Sequence, residues 1–495
     1  MTRERGSAML YCRRMPGLES DVVPLSPEPA AAPAQPFFRP WATWLSTALV
    51  ALFIGYIFVL TPGDPLDHLH WPEDSLERLA GRDMEMRAAI ARAAPWEQQL
   101  YAILSGGDDS VDDWVRWHED LAQASNSPDV EMDRLILLGE AGRTAAVREG
   151  VEDWEPDDES ATRRKAWITA AYLEPKITRA AGRALITEAR DELPVGWFAD
   201  ALVARLALRA SDTVTRQQAE AAIAARGAAL LDRWRALQAV GLLLAVAGLA
   251  SLGVMMLTHA DPRIAEARML DGFSLGDGYA LFIRGALGFL VLGTGLGLVV
   301  PDETALDGIT GPATIAPVLL CALWYLRARG VSFTAAFGLA PSPSRWSRLA
   351  WIALTLIGLQ LTGEAVISAA LDSLHLTSHW ADGLEENLIW GSWGLVARET
   401  IDSAIWAPLG EEIAFRGVLY AGLRSRFGMV PAAALSAAVF AVAHGYGVLG
   451  FLAVFWSGAL WAVAYEKTGS LWPGIIAHSA GNLMATVGVV ALLRL

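Results

Sequence analysis

The sequence GEEIAFRG at positions 410–417 places two adjacent carboxylates and an arginine inside an otherwise apolar helical run. Ionisable side chains at membrane depth are energetically costly, usually face the protein interior and mark a functional site by default. The next apolar segments contain FAVAH at 440–444 and HSAGN at 478–482. The end residues of each motif are four apart and therefore share one helix face. Together the three segments predict a polar site buried in a membrane.

The composition is typical of a multi-pass membrane protein. Of the 495 residues, 53% are hydrophobic and only 19% are charged, whereas a soluble chain of this length is normally more charged. The formal net charge of −15 excludes nucleic acid as an expected partner, because phosphate binding needs clustered Lys and Arg. Cys12 and Cys321 are too few for a disulfide framework or a cysteine-based metal site.

The chain divides into regions of different character, and the predicted fold is an all-α polytopic membrane bundle with an inserted soluble all-α helical domain. Pro- and Ala-rich sequence predicts a disordered tail, and a charged, Ala/Leu/Arg/Glu-rich stretch predicts the inserted domain. The predicted regions are the tail at 1–36, a first transmembrane helix at 37–61, the helical domain at 62–232, transmembrane helices 2–4 at 233–329, and the site-bearing domain at 330–495.

Apolar runs long enough to cross a bilayer predict about nine spans. Helical periodicity within the inserted domain predicts helices near 75–103, 112–123, 130–149, 160–190 and 197–231.

The distribution of Lys and Arg predicts the orientation. Arg13, Arg14 and Arg39 belong to the N-terminal region, and the loops 259–277 and 327–346 are also basic. Because basic loops stay on the cytosolic side, we expect a cytosolic N-terminus and an extracytoplasmic helical domain. We expect the chain to lie in the inner (plasma) membrane of a bacterium, with the lipid bilayer as its surroundings.

The chemistry of these residues favours amide hydrolysis by an activated water. A buried carboxylate beside a second carboxylate, with Arg416 one turn from Glu412, suits a general base that takes a proton from water near neutral pH. His444 could orient the same water. His478 and Asn482 supply donors that could stabilise the oxyanion of a tetrahedral intermediate. These segments show no serine or cysteine nucleophile motif, and this reaction needs none.

The three motifs resemble those of the CPBP (CAAX protease and bacteriocin-processing, or Abi) family of intramembrane proteases, in order and in placement on one helix each. The resemblance covers roughly residues 330–495. It implies a CAAX prenyl endopeptidase-like intramembrane protease that acts on a peptide or protein substrate, membrane-bound substrates included. It also implies a catalytic set with Glu411 as general base, His444 helping to hold the water, His478 and Asn482 as oxyanion stabilisers, and Glu412 and Arg416 in supporting positions.

The resemblance leaves the cofactor open, because the family is often labelled metalloprotease while some members are described as metal-independent. Glu411, His444 and His478 could together bind Zn²⁺, since nitrogen and oxygen ligands with an open position suit a catalytic zinc site. The chain has no HExxH motif, and asparagine is a poor zinc ligand. We therefore expect no metal, with zinc as the alternative.

Two other classes of function fit some of the same features. A non-catalytic membrane scaffold or immunity-type protein could bind an unknown partner through the helical domain at 62–232. A transporter could use the intramembrane carboxylates to carry protons, but the spans show no inverted-repeat halves and no paired broken helices.

Overall fold

All regular structure in the described part of the chain is helical, which confirms the all-α prediction. The computed structural model describes residues 37–56, 66, 69–105, 110–269, 273–299, 303–374, 376 and 379–495. The predicted disordered tail at 1–36 lies outside these residues.

The inserted domain is built from short helices. They are α2 (Pro72–Ile90), α3 (Pro95–Ser105), α4 (Ser110–Ser125), α5 (Pro128–Glu140), α6 (Thr144–Asp153), α7 (Glu159–Ile168), α8 (Arg179–Glu192) and α9 (Trp197–Arg209). A five-residue π-helical turn, Thr169–Leu173, extends α7.

Four predicted helices of this domain are each two helices, because local breakers interrupt the periodicity. Pro95 begins α3 after a turn, and Gly142, at φ +76°, separates α5 from α6. Thr178 accepts a hydrogen bond from the Ala181 amide and so begins α8. Asp212 caps the helix after α9 in the same way, through the Thr215 amide. Side-chain caps satisfy backbone donors that a continuing helix would pair internally.

The domain has its own apolar core, centred on α5, α7 and α9. Leu135, Ile136, Trp167, Leu202 and Leu206 are fully buried within it. Burial of each such side chain contributes roughly 1.5–3 kcal/mol. This core explains why a strongly charged stretch folds between two membrane segments.

Helix α10 (Thr213–Leu257) joins the domain to the membrane half without a break. It has 45 residues and is therefore about 68 Å long. Its first half packs against α2 and α9, and its second half packs against α14 (Trp346–Ser373). The predicted domain boundary at 232/233 falls inside this helix, so the two regions share one rigid element there.

The remaining helices form the membrane half. They are α1 (Pro40–Gly55), α11 (Leu275–Val299), α12 (Glu303–Arg329), α13 (Phe333–Ala336), α14, α15 (Glu386–Trp390), α16 (Trp393–Ile401), α17 (Ala407–Glu411), α18 (Ala421–Arg424), α19 (Met429–Ala443), α20 (Val448–Thr468) and α21 (Trp472–Val489). Within the described residues, five helices are long and apolar enough to cross a bilayer: α10, α11, α14, α20 and α21. Helices α1 and α19 are apolar but shorter. The chain is thus an integral membrane protein, and the count of nine spans stays a prediction.

Glu386 fastens the inserted domain to the membrane half. Its buried carboxylate accepts hydrogen bonds from the backbone amides of His70 (2.6 Å) and Trp71 (3.1 Å), and from the Ser75 hydroxyl (2.7 Å). The Trp390 indole donates to the same hydroxyl at 3.2 Å. The bonded amides immediately precede α2, where a helix dipole favours negative charge. The start of α2 is therefore held against α15.

A group of neighbouring carboxylates on α2 and α5 gives the first prediction. Burial raises the pKa of Glu77 to about 7, and Asp74 and Asp129 add to the shift. Burial and the Glu77 charge also raise the pKa of Asp133, which is 4% exposed. Because the pKa of Glu77 is higher in the folded state than its ordinary 4.5, the free energy of unfolding falls as pH rises from about 4.5 through 7.

We expect Glu77→Gln to stabilise the protein at pH 8 by about 1–2 kcal/mol and to have little effect at pH 4.5. The whole pKa shift from 4.5 to about 7 would correspond to about 3.4 kcal/mol at roughly 1.4 kcal/mol per pKa unit. We expect a smaller effect because the side chain keeps some contact with solvent. Thermal unfolding of the full-length protein at the two pH values measures the difference. The matched control is Glu152→Gln at an exposed position. Equal effects of Glu77→Gln at both pH values would contradict the prediction.

Candidate active site

Glu411 and Glu412 lie on a helical stretch that contains two π-helical segments. Between α16 and α18 the chain forms π-helical segments at Asp402–Trp406 and Glu412–Tyr420, on either side of α17. Such segments are uncommon and frequently occur at functional sites. Because consecutive residues of a helix point in different directions, Glu411 faces a cavity while Glu412 is fully buried.

Glu412 forms a buried ion pair with Arg416. The Arg416 Nη1 donates to Glu412 Oε1 at 2.9 Å, and both side chains are essentially inaccessible to solvent. The guanidinium also stacks on Phe440 and Trp461, with its central carbon 4.2 and 4.9 Å from the ring centroids. These aromatic faces provide favourable electrostatic surroundings for a cation removed from water.

Two glycines make room for this ion pair. A Cβ at Gly458 would lie 2.7 Å from Arg416 Nη2, and a Cβ at Gly474 would lie 2.8 Å from Glu412 Oε2. Larger residues at either position would displace the charged groups. The ion pair and the glycines of α20 and α21 therefore fit together as one unit.

His478 lies between the two glutamates. Its Nδ1 is 3.4 Å from Glu412 Oε1, and its Nε2 is 3.6 Å from Glu411 Oε2. The imidazole is 4% exposed and stacks on Trp461 with the ring centroids 4.2 Å apart. Both ring nitrogens therefore face carboxylate oxygens, and the contact with Glu412 is within hydrogen-bond distance.

His444 directly follows α19, and one of its ring nitrogens is hydrogen-bonded to the backbone. Its Nδ1 is 2.8 Å from the carbonyl oxygen of Phe440, which can only accept. The Nδ1 therefore carries a hydrogen, and the neutral ring presents a lone pair at Nε2. His444 lines the same cavity as Glu411.

Asn482 also lines the cavity, and its amide is anchored. The side-chain Nδ2 donates to the Ser403 carbonyl at 2.7 Å, and the Ser403 hydroxyl lies 3.3 Å from that of Thr486. The Ser403 carbonyl lies in the first π-helical segment. An amide nitrogen carries two hydrogens, so Asn482 keeps one for a ligand.

The structure brings together all six residues that the sequence singled out. Glu411, His444, His478 and Asn482 line a cavity of about 410 Å³, while Glu412 and Arg416 lie behind it. A second cavity, of about 580 Å³, shares His444 as a lining residue and reaches His70 in the inserted domain. The site therefore opens towards the end of the bundle to which that domain is fastened.

The sequence motifs missed other residues that line the cavity, among them Gln360, Glu364, Ser457 and Trp461. Glu364 had a detectable signal, because it is an ionisable residue in the middle of the apolar run of α14. The other three have common core or helix-packing roles, and their sequence context does not distinguish them.

The geometry offers little support for the zinc alternative. Within the described residues, no three His, Cys, Asp or Glu side chains are grouped closely enough to hold a metal ion. Glu411, His444 and His478 as they lie do not fit a three-ligand zinc site.

A carboxylate, two histidines and an asparagine thus meet at one cavity among apolar helices. Residues 393–484 match the family model described as Type II CAAX prenyl endopeptidase Rce1-like. This part of the chain is thus similar to Rce1-like CAAX prenyl endopeptidases, which is consistent with the resemblance of the three motifs to the CPBP family. No curated protein and no solved structure matches the chain.

The buried ion pair gives a stability prediction. Arg416→Met leaves the Glu412 carboxylate buried without its cation, and we expect a loss of about 3–5 kcal/mol in the free energy of unfolding. The double variant Glu412→Gln/Arg416→Met removes both charges and should recover much of that loss. Thermal unfolding in detergent measures all three proteins.

The control for this comparison is Arg348→Met. Arg348 pairs with Asp261 at 3.7 Å in a partly exposed position, so its loss should cost less than about 1 kcal/mol. A double variant less stable than Arg416→Met alone would show that the charge of Glu412 is not what destabilises the single variant.

Proposed function

We propose that the protein is an intramembrane endopeptidase in which Glu411 activates the attacking water. The observation that carries this proposal is the position of Glu411, whose side chain is 29% exposed at a cavity otherwise enclosed by apolar helices. Its neighbour Glu412 has no such access. The match of residues 393–484 to a CAAX prenyl endopeptidase family supports the same reaction class.

In the proposed mechanism, Glu411 and His444 hold one water between them. The lone pair on His444 Nε2 accepts one water hydrogen, and the Glu411 carboxylate accepts the other. As the water oxygen attacks the carbonyl carbon of the substrate, Glu411 takes the proton. The new C–O bond converts the carbonyl oxygen to an oxyanion.

Asn482 and His478 have different proposed roles in this step. The second amide hydrogen of Asn482 can donate to the oxyanion, while the first stays with the Ser403 carbonyl. His478 is placed to position Glu411 and to share a proton with it, which adds to the oxyanion role implied by the family resemblance. Collapse of the intermediate breaks the C–N bond, and the proton held by Glu411 passes to the leaving amine.

We propose that the N-terminus is cytosolic and that the inserted domain lies outside, in keeping with the basic loops. The second cavity reaches His70 of that domain, so a substrate would enter from the extracytoplasmic end of the bundle. A peptide segment or a membrane-anchored polypeptide can enter this way, because the cavity lies at one end of the bundle.

Cells that express wild type or Glu411→Gln at equal levels provide the test. We expect peptides with new termini in the membrane proteome only with wild type, and we expect His444→Ala to behave like Glu411→Gln. Glu466→Gln is the control, since its carboxylate binds Tyr420 and Arg424 away from the cavity. Identical proteomes, with a phenotype that both forms rescue equally, would instead support a scaffold that acts through the helical domain.

Asn482→Ala tests the oxyanion step separately. We expect turnover of an identified substrate to fall by ~100–1000-fold with KM little changed, as for the removal of one oxyanion donor. Steady-state kinetics of the purified protein distinguish the two constants. An increase in KM with unchanged turnover would assign Asn482 to substrate binding.

A further inference from the structure

Helix α14 contributes two polar residues to the active-site cavity. Gln360 and Glu364 are four residues apart, so they lie on one face of the helix, and both line the cavity that contains Glu411. The family match begins at residue 393 and does not include this helix. The mechanism above also makes no use of either residue.

Close packing fixes the position of Glu364. A Cβ at the preceding Gly363 would lie 2.0 Å from the indole nitrogen of Trp456, which donates to the Leu359 carbonyl at 3.1 Å. The hydroxyl of Ser457 then donates to Glu364 Oε1 at 3.2 Å. Helices α14 and α20 therefore meet at this point and hold the carboxylate at the cavity wall.

Gln360 presents an unused acceptor to the same region. The side chain is 7% exposed, and its Oε1 has no hydrogen-bond partner within the described residues. Its Nε2 packs beside Gly481, where a Cβ would lie only 2.4 Å away. Gly481 directly precedes Asn482, so this acceptor lies close to the proposed oxyanion site. A buried acceptor without a donor is costly, and a bound ligand with N–H groups would remove the cost.

The carboxylates that line the cavity give it a negative charge. Glu364, Glu385 and Glu411 line it, and among its described lining residues there is no Lys or Arg. Asp382 and Glu386 line the second cavity, through which we propose that a substrate enters. Such a lining attracts cations and disfavours anions, and a low-dielectric wall strengthens the effect. A free C-terminal carboxylate would find no cation here to receive it.

We infer that Glu364 and Gln360 form a subsite for a Lys or Arg side chain of the substrate, next to the bond that is cleaved. Both side chains carry several N–H donors, enough to bind the Glu364 carboxylate and the Gln360 oxygen together. The substrate class is thus a polypeptide cleaved beside a basic residue. This inference rests on the proposed endopeptidase function, and Glu364 acts in it as a specificity-determining residue.

Quenched fluorescent peptides that differ at one position test the inference with the purified full-length protein. At each position in turn the peptide carries Lys, Arg, norleucine or Glu, where norleucine retains the chain of Lys without its charge. For wild type we expect kcat/KM to be ~10–100-fold higher with Lys or Arg than with norleucine at one position, the range of a charged hydrogen bond.

Two variants of Glu364 and one control complete the experiment. Glu364→Gln should bring the ratio of kcat/KM for Lys over norleucine peptides close to one, through a higher KM for the basic peptides. Glu364→Lys should favour the Glu peptide. Glu266→Gln removes a carboxylate from an exposed loop and should keep the wild-type preference. A purely structural role of Glu364 would instead lower the cleavage of all four peptides together.

The outcomes separate the inference from the proposed function. Cleavage that depends on Glu411 but is indifferent to Lys, Arg and norleucine at every position would overturn the subsite and leave the endopeptidase in place. If Glu364→Gln fails to fold, the ratio of kcat/KM for Lys peptides to that for norleucine peptides with the wild-type protein decides whether the subsite exists. Absence of Glu411-dependent cleavage, both for the peptides and in the membrane proteome, would reject the proposed function and the subsite with it.

Discussion

The ion pair between Glu412 and Arg416 is the constraint on which the site depends. Two opposite charges removed from water in an apolar bundle cannot be separated without a large cost, so the pair restricts the rotation of the helix that carries it. With Glu412 directed into the core, its neighbour Glu411 must face the cavity. An interaction that is internal to the protein thereby sets the direction of the residue that we propose as the base.

Aromatic side chains extend this constraint to the other helices. Phe440 and Trp461 pack on Arg416, and the same two rings contact His478 on α21. Phe440 also receives the Nδ1 hydrogen of His444 at its backbone carbonyl. One cluster of rings thus sets both histidines relative to the glutamates, which explains why the polar residues of three helices converge on one cavity.

The sequence predicted the features that depend on residue type and helical periodicity. It missed the contacts that depend on how the side chains pack. The motifs identified Glu411, His444 and Asn482 because polar residues are conspicuous in apolar helices. The pairing of Asn482 with the Ser403 carbonyl was not predictable, since it requires the π-helical turn at Asp402–Trp406. Gln360 escaped notice because it lies outside the three motifs, and only the structure shows that its oxygen has no hydrogen-bond partner among the described residues.

The continuous α10 has a mechanical consequence. Where it crosses α14, Gly248 and Gly358 meet so closely that a Cβ on the first would lie 2.6 Å from the Cα of the second. Two residues further along α14 is Gln360. Because α10 is unbroken from the inserted domain to this crossing, we expect a tilt of that domain to move the helix against α14 and so to shift the wall of the cavity.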